Sequence, residues 1–189
     1  MRKDGIALIG MILTLIFIII AFYGTWYSVT MSFMGQEISV EMTLTQMVQK
    51  FAGQEQTIVY QEAKNSSIAV LNSDQLDVFS NTMYLVIIAL IFAFIGMLSI
   101  LGHLYRLTKS DKLKLLGGVF GILVFILGFV AIIYFMTGGF IDADFWFSQT
   151  DMGSEMLGGP GYAWYLMIIA AIIALISSIP LFTKQAVKK

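Results

Sequence analysis

The chain has 189 residues, 58% apolar and 12% charged, with a formal net charge of −1 and no cysteine. A mean hydropathy of +0.85 is far above that of soluble globular proteins. The lack of cysteine excludes disulfides, thiolate metal sites and cysteine nucleophiles, and the charge indicates no nucleic-acid partner.

Four stretches of 21 to 23 residues contain no Asp, Glu, Lys or Arg, and they cover residues 6–27, 82–104, 115–137 and 162–182. As a helix, each stretch is roughly 30–35 Å long, which is enough to cross the hydrocarbon core of a bilayer. We therefore expect an integral membrane protein of mainly α class. It would be a four-transmembrane-helix bundle with a small extracellular antiparallel sheet, forming one domain over residues 1–189.

The charged residues separate by sign between the segments that connect these stretches. Nine of the eleven Lys and Arg residues lie at the N-terminus and in residues 105–114 and 183–189. Ten of the twelve acidic residues lie in residues 28–81 and 138–161. Because Lys and Arg in short loops stay in the cytoplasm, we expect both termini to be cytoplasmic in a multi-pass protein of the cell membrane.

The first outer segment, residues 28–81, carries the strongest signs of folded structure. Apolar and polar residues alternate on both sides of Gly35, which predicts a β-hairpin at about 28–44. Apolar residues then recur at helical spacing and predict a short helix at about 45–52, followed by strands at 57–60 and 68–71. Asn65 begins an Asn-X-Ser sequon that is open to N-glycosylation.

The second outer segment, residues 138–161, is acidic and aromatic. Its carboxylates lack the ligand spacing of a calcium loop, so we expect no metal site. Three consecutive aromatics, Phe145, Trp146 and Phe147, are candidates for contact with a partner or with the lipid interface, together with Trp26. We expect the glycine-rich residues 158–161 to end any regular structure.

Small residues recur at helical spacing in three of the four stretches. Such spacing aligns them on one helix face and lets two backbones approach closely. Two interpretations stay open, packing within the bundle or contact with a second protein. The residues are Ala89, Ala93, Gly117, Gly121, Ala170, Ala174 and Ser178.

The four stretches carry almost no side chains that could act in catalysis or ion transport. Apart from tyrosines, His103 is their single ionisable group, and we expect it to be a hydrogen-bonded residue near the membrane interface. Ion pathways and coupled transporters carry buried ionisable groups. We therefore nominate no catalytic residue and no cofactor, and transport is the least favoured class.

The chain resembles the claudin and peripheral-myelin-protein tetraspan group. The shared features are four spans, cytoplasmic termini and a larger first outer loop with strands. Trp26 at the membrane–loop junction and the glycine-rich approach to residue 165 are also similar. That resemblance implies a sheet-bearing outer domain that makes protein contacts. The group's Gly-Leu-Trp motif and its cysteines are absent here, so its disulfide is not carried over. Few prolines and many isoleucines suit a prokaryotic or archaeal relative.

The leading hypothesis is a non-enzymatic membrane protein that acts as a self-associating scaffold or adhesion protein through its outer domain. The alternative is an accessory subunit of a larger membrane assembly, and the third is a small-molecule transporter or lipid-handling protein. The expected partners are the lipid bilayer and either copies of the chain or other membrane proteins.

Overall fold

The structure, a computed structural model, describes residues 3–33, 36–51, 53–60, 73–105, 111–138, 147–151 and 154–183. Within these residues, four helices are long and apolar enough to cross a membrane, which confirms the four apolar helices expected from the sequence. They are α1 (Lys3–Tyr23), α2 (Ser73–Leu104), α3 (Lys112–Thr137) and α4 (Tyr162–Phe182).

Helix α2 begins at Ser73, well ahead of the expected start at residue 82. Leu76, Phe79, Thr82 and Val86 follow one another at intervals of three or four residues, and all four are buried. They form one continuous helix face, so the helix extends into the polar segment. The prediction used freedom from charge to bound the helix, so it missed this first part, which carries Asp77 on its exposed side.

Six strands form one antiparallel sheet in the order β4-β3-β2-β1-β6-β5. The predicted hairpin is present, and it consists of β1 and β2 with Tyr27 opposite Met42. Helix α1 accordingly ends at Tyr23 and not at residue 27. The strands are β1 (Tyr27–Phe33), β2 (Gln36–Met42), β3 (Gln46–Phe51), β4 (Gln54–Val59), β5 (Phe147–Asp151) and β6 (Ser154–Pro160).

The predicted helix at 45–52 is wrong, because residues 46–51 form the strand β3. Its apolar residues fit both a helical and an alternating pattern, and the backbone bonding of β3 to β2 and β4 decides between them. A tight connection sets the register: the Thr43 hydroxyl donates to the Gln46 carbonyl at 3.0 Å. The β3–β4 turn uses Gly53 at φ +79°, a conformation that favours glycine.

We expected the glycine-rich residues 158–161 to end any regular structure, but residues 158–160 belong to a strand of the sheet. Strand β6 pairs with β1 along its whole length, from Ser154 opposite Phe33 to Pro160 opposite Tyr27. The glycines do not break this strand because both pair with β1, and Gly158 also pairs with β5. The predicted strand at 57–60 corresponds to the end of β4, and the one at 68–71 lies outside the described residues.

The chain divides into two units, and each helix contributes residues to both. Unit 1 comprises Met1–Ile19, Leu85–Val130 and Met167–Lys189, and buries Met11, Ile18 and Ile100. Unit 2 comprises Ile20–Tyr84 and Ala131–Leu166, contains the whole sheet, and buries Trp26, Phe79 and Phe135.

Candidate functional site

Trp26 lies at the junction of α1 and β1 and is fully buried. Its indole Nε1 donates to the Ala21 carbonyl at 2.7 Å, and its ring packs edge-on against Phe135 with centroids 5.2 Å apart. Its backbone amide donates to Met42, and its carbonyl accepts from Gly161. Trp26 is therefore a core residue of unit 2 and does not offer its ring to a partner.

The aromatic core continues from Phe135 through Phe79 to Tyr60, with ring centroids 5.2 and 5.0 Å apart. The Tyr60 hydroxyl donates to the Thr43 carbonyl at 3.1 Å, and the Tyr60 amide donates to Thr45. Burial raises the pKa of Tyr60, because the phenolate would be poorly solvated here. This side chain ties the end of β4 to the β2–β3 connection.

One face of the sheet is apolar and unevenly covered. Register places Tyr27, Met42 and Met47 side by side across three strands, and all three are buried. Four residues further along β1 is a second row, here called the apolar row, which crosses four strands. It consists of Met156, Met31, Ile38 and Phe51.

The apolar row is partly exposed to solvent. Phe51 is 42% exposed, while Met31, Ile38 and Met156 are half-buried. Across β1–β4 and β6, every charged residue alternates onto the other face, so no charge interrupts the row. An uncharged apolar strip with a polar edge at Gln54 has the composition of the centre of a protein–protein interface.

The opposite face is polar and acidic. Glu41 accepts from Lys50 at 2.8 Å and from the Thr25 hydroxyl at 3.4 Å. The hydrogen bond and the negative charge of Glu41 raise the pKa of Lys50. Glu55 and Glu155 share this face, so its charge is predominantly negative.

A groove of about 490 Å³ opens on the polar face beside β1, β5 and β6. Hydroxyls of Ser28, Thr30 and Ser148 line it, and Tyr165 from the first turn of α4 stands beside them. The remaining lining residues are Leu157, Gly158, Gly159 and Pro160.

The small residues identified in the sequence lie inside unit 1. Ala89, Ala93, Ala170 and Ala174 are fully buried and Ser178 is 1% exposed. A Cβ at Gly117 would lie 3.3 Å from the Gly96 carbonyl, and one at Gly121 would meet the Ser178 hydroxyl and the Ala174 carbonyl. These contacts favour the interpretation in which the small residues serve packing within the chain.

The other predicted site residues receive little structural context. Phe145, Trp146 and Asn65 lie outside the described residues. Phe147 begins β5 opposite Gly158, and its backbone alone is described. Within the described residues, no three His, Cys, Asp or Glu side chains lie together as metal ligands.

A buried charged cluster in unit 1 was missed by the sequence reasoning. Asp4 and Lys114, which entered the sequence analysis only through the separation of charge, are 3% and 6% exposed. Lys114 Nζ lies 3.2 Å from Asp4 Oδ1 and donates to the Thr183 carbonyl at 3.3 Å, while His103 Nε2 lies 3.8 Å from Asp4 Oδ2. His103, expected near the membrane interface, thus lies beside the Asp4–Lys114 pair.

This cluster gathers polar groups from α1, α2 and α3 and from the residue that follows α4. Asp4 itself was the available signal, as an acidic residue among the basic ones at the N-terminus. Buried charges of this kind are commonly paired, so an isolated acid beside a membrane helix indicates a basic partner elsewhere. The cluster joins elements of unit 1 and has the geometry of a structural ion pair.

Comparison with known proteins gives no family assignment: no protein-family model matches the chain, and no curated protein matches it.

Proposed function

We propose that the chain is a non-enzymatic tetraspan protein of the cell membrane that self-associates through its sheet, as a scaffold or an adhesion protein. The observation that carries this proposal is the apolar row, with Phe51 42% exposed and no charged residue interrupting it.

Membrane placement rests on the helix surfaces as well as on helix length. Each helix exposes large aliphatic side chains, among them Ile9 at 48%, Ile91 at 49%, Ile126 at 48% and Ile176 at 60%. Continuous apolar surfaces of this kind are unfavourable in water and favourable in lipid. The excess of Lys and Arg near the termini supports cytoplasmic termini and a sheet on the outer side.

The apolar row favours a second copy of the chain as its partner. A row that crosses four strands can meet its own copy about a two-fold axis, so that each side chain of one copy faces an apolar side chain of the other. Met31 and Met156 adapt their shape to such a contact because their side chains are unbranched and flexible. Burying Phe51 there contributes about 1–2 kcal/mol, since it is already partly covered.

The test is the mass of the particle after gentle extraction from the native membrane. We expect multiples of the 21.0 kDa chain. Phe51→Thr and Ile38→Thr should shift the particle toward the single chain, weakening association by about tenfold. Val59→Thr is the matched control, because Val59 is 37% exposed but lies on the opposite face.

Foreign subunits in fixed ratio would instead make the chain an accessory subunit of a larger assembly. A single chain in the membrane extract, or equal masses for the Phe51→Thr and Val59→Thr proteins, would contradict self-association through the apolar row.

A further inference from the structure

The groove on the polar face of the sheet has a lining that suits a particular ligand chemistry. Its floor is the paired backbone of β1 and β6, where Gly159 lies opposite Ser28 and Leu157 lies opposite Thr30. Gly159 carries no side chain on this face, so a flat ligand can approach the backbone closely. Ser148 continues the floor on β5, opposite Leu157.

The hydroxyls of Ser28, Thr30, Ser148 and Tyr165 supply the polar side-chain groups of the lining. A hydroxyl both donates and accepts a hydrogen bond, so it pairs with another hydroxyl without any charge being needed. Among the described residues, no Lys, Arg, Asp or Glu belongs to the lining. Tyr165, which is 46% exposed, adds an aromatic face for stacking.

The surroundings disfavour an anionic ligand. Glu41 lies directly opposite Ser28 on β2, and Glu155 lies two residues from Leu157 on β6. Both carboxylates project from the same face as the groove, so phosphate or carboxylate ligands would meet like charge. Lys50, paired with Glu41 at 2.8 Å, compensates the charge of that carboxylate, so the repulsion rests mainly on Glu155.

We propose that this groove binds a neutral hexose, presented as the headgroup of a glycolipid. A hexose has a rim of hydroxyls and a face of C–H groups, which match the hydroxyl lining and the Tyr165 ring respectively. The groove, of about 490 Å³, is open to solvent along the sheet, so it can hold a headgroup against its floor without enclosing it. The lipid source rests on the proposed function, since Tyr165 in the first turn of a spanning α4 lies at headgroup level.

The experiment uses the full chain, purified in a detergent without a sugar headgroup and placed in phosphatidylcholine nanodiscs. Binding of monoglucosyl diacylglycerol is measured by native mass spectrometry or by titration. Thr30→Val and Tyr165→Phe each remove one hydroxyl and should weaken binding about threefold to tenfold. Thr57→Val on β4 and Tyr162→Phe in α4 make the same changes outside the groove and should leave binding unchanged.

Saturable binding that only the groove variants weaken would support the proposal. Equal affinity for soluble methyl glucoside would overturn the lipid source while retaining the hexose site, and this arm works whether or not α4 spans a membrane. Binding of phosphatidylglycerol without glucolipid binding, or equal losses in the Thr30→Val and Thr57→Val proteins, would overturn the hexose site. Particle mass, measured in parallel, reports separately on self-association.

Discussion

Replacing Lys114 by Met should destabilise unit 1 by about 3–5 kcal/mol, the usual loss when one partner of a buried ion pair is removed. The Lys114 and Asp4 side chains are 7% and 4% exposed, so water reaches neither group well. The substitution removes the ammonium 3.2 Å from Asp4 Oδ1 and also the hydrogen bond to the Thr183 carbonyl. The carboxylate then stays buried without that cation.

The double variant Asp4→Asn with Lys114→Met removes both charges at once, and so tests whether the uncompensated carboxylate causes the loss. We expect it to recover most of the stability lost by Lys114→Met alone, as buried pairs replaced by neutral groups often do. Lys112→Met is the matched control: Lys112 is exposed on the same helix, so its loss should change stability by no more than about 1 kcal/mol, the range of an exposed charge.

The stability of the unchanged chain and of the three variants is measured by unfolding in one detergent at neutral pH, monitored by near-ultraviolet circular dichroism. Equal stability of the Lys114→Met and Lys112→Met proteins would show that the buried pair contributes nothing beyond a surface charge. A double variant as unstable as the single one would show that lost packing, and not an uncompensated charge, causes the damage.

Raising the pH should destabilise unit 2, because burial raises the pKa of Tyr60 above its ordinary value of 10.0. Above about pH 10 the unfolded chain loses this proton first, so the free energy of unfolding falls by about 1.4 kcal/mol per pH unit. Tyr60→Phe should reduce that slope in alkaline unfolding. Burial also raises the pKa of Tyr27, so a smaller slope should remain. An unchanged slope would refute the assignment to Tyr60. Gly121→Leu should destabilise unit 1 by at least about 1–3 kcal/mol, because its side chain would enter the space of Ser178. Gly5→Leu, at a position with open space, should be tolerated, and equal thermal stability of the two variants would contradict the close approach.

The ambiguous region of the sequence was residues 45–52, where one pattern fits two structures. Leu44, Met47 and Phe51 are spaced for a helix, but Met47 and Phe51 also alternate correctly for a strand. A helix there would leave the facing backbone groups of β2 and β4 without ladder partners. Pairing with those neighbours, which no local window contains, decides the structure.

The apolar row and the groove also depend partly on local sequence pattern and partly on contacts between distant strands. Alternation in β1 and β2 predicted that the sheet has an apolar and a polar face. Neither the apolar row nor the groove could be predicted, because both need Met156 and Leu157 of β6 beside β1. Trp26 shows the converse: its position beside the first helix indicated an interface residue, and packing against Phe135 buries it.

The sequence by itself determined the four apolar helices, the first hairpin and the separation of charge, because length, freedom from charge and period-two alternation are local properties of a chain. Only the tertiary structure decided that both outer segments share one sheet, and that Asp4 pairs with Lys114. These features arise from contacts between residues distant in sequence, whose free energy depends on burial that no short segment has alone.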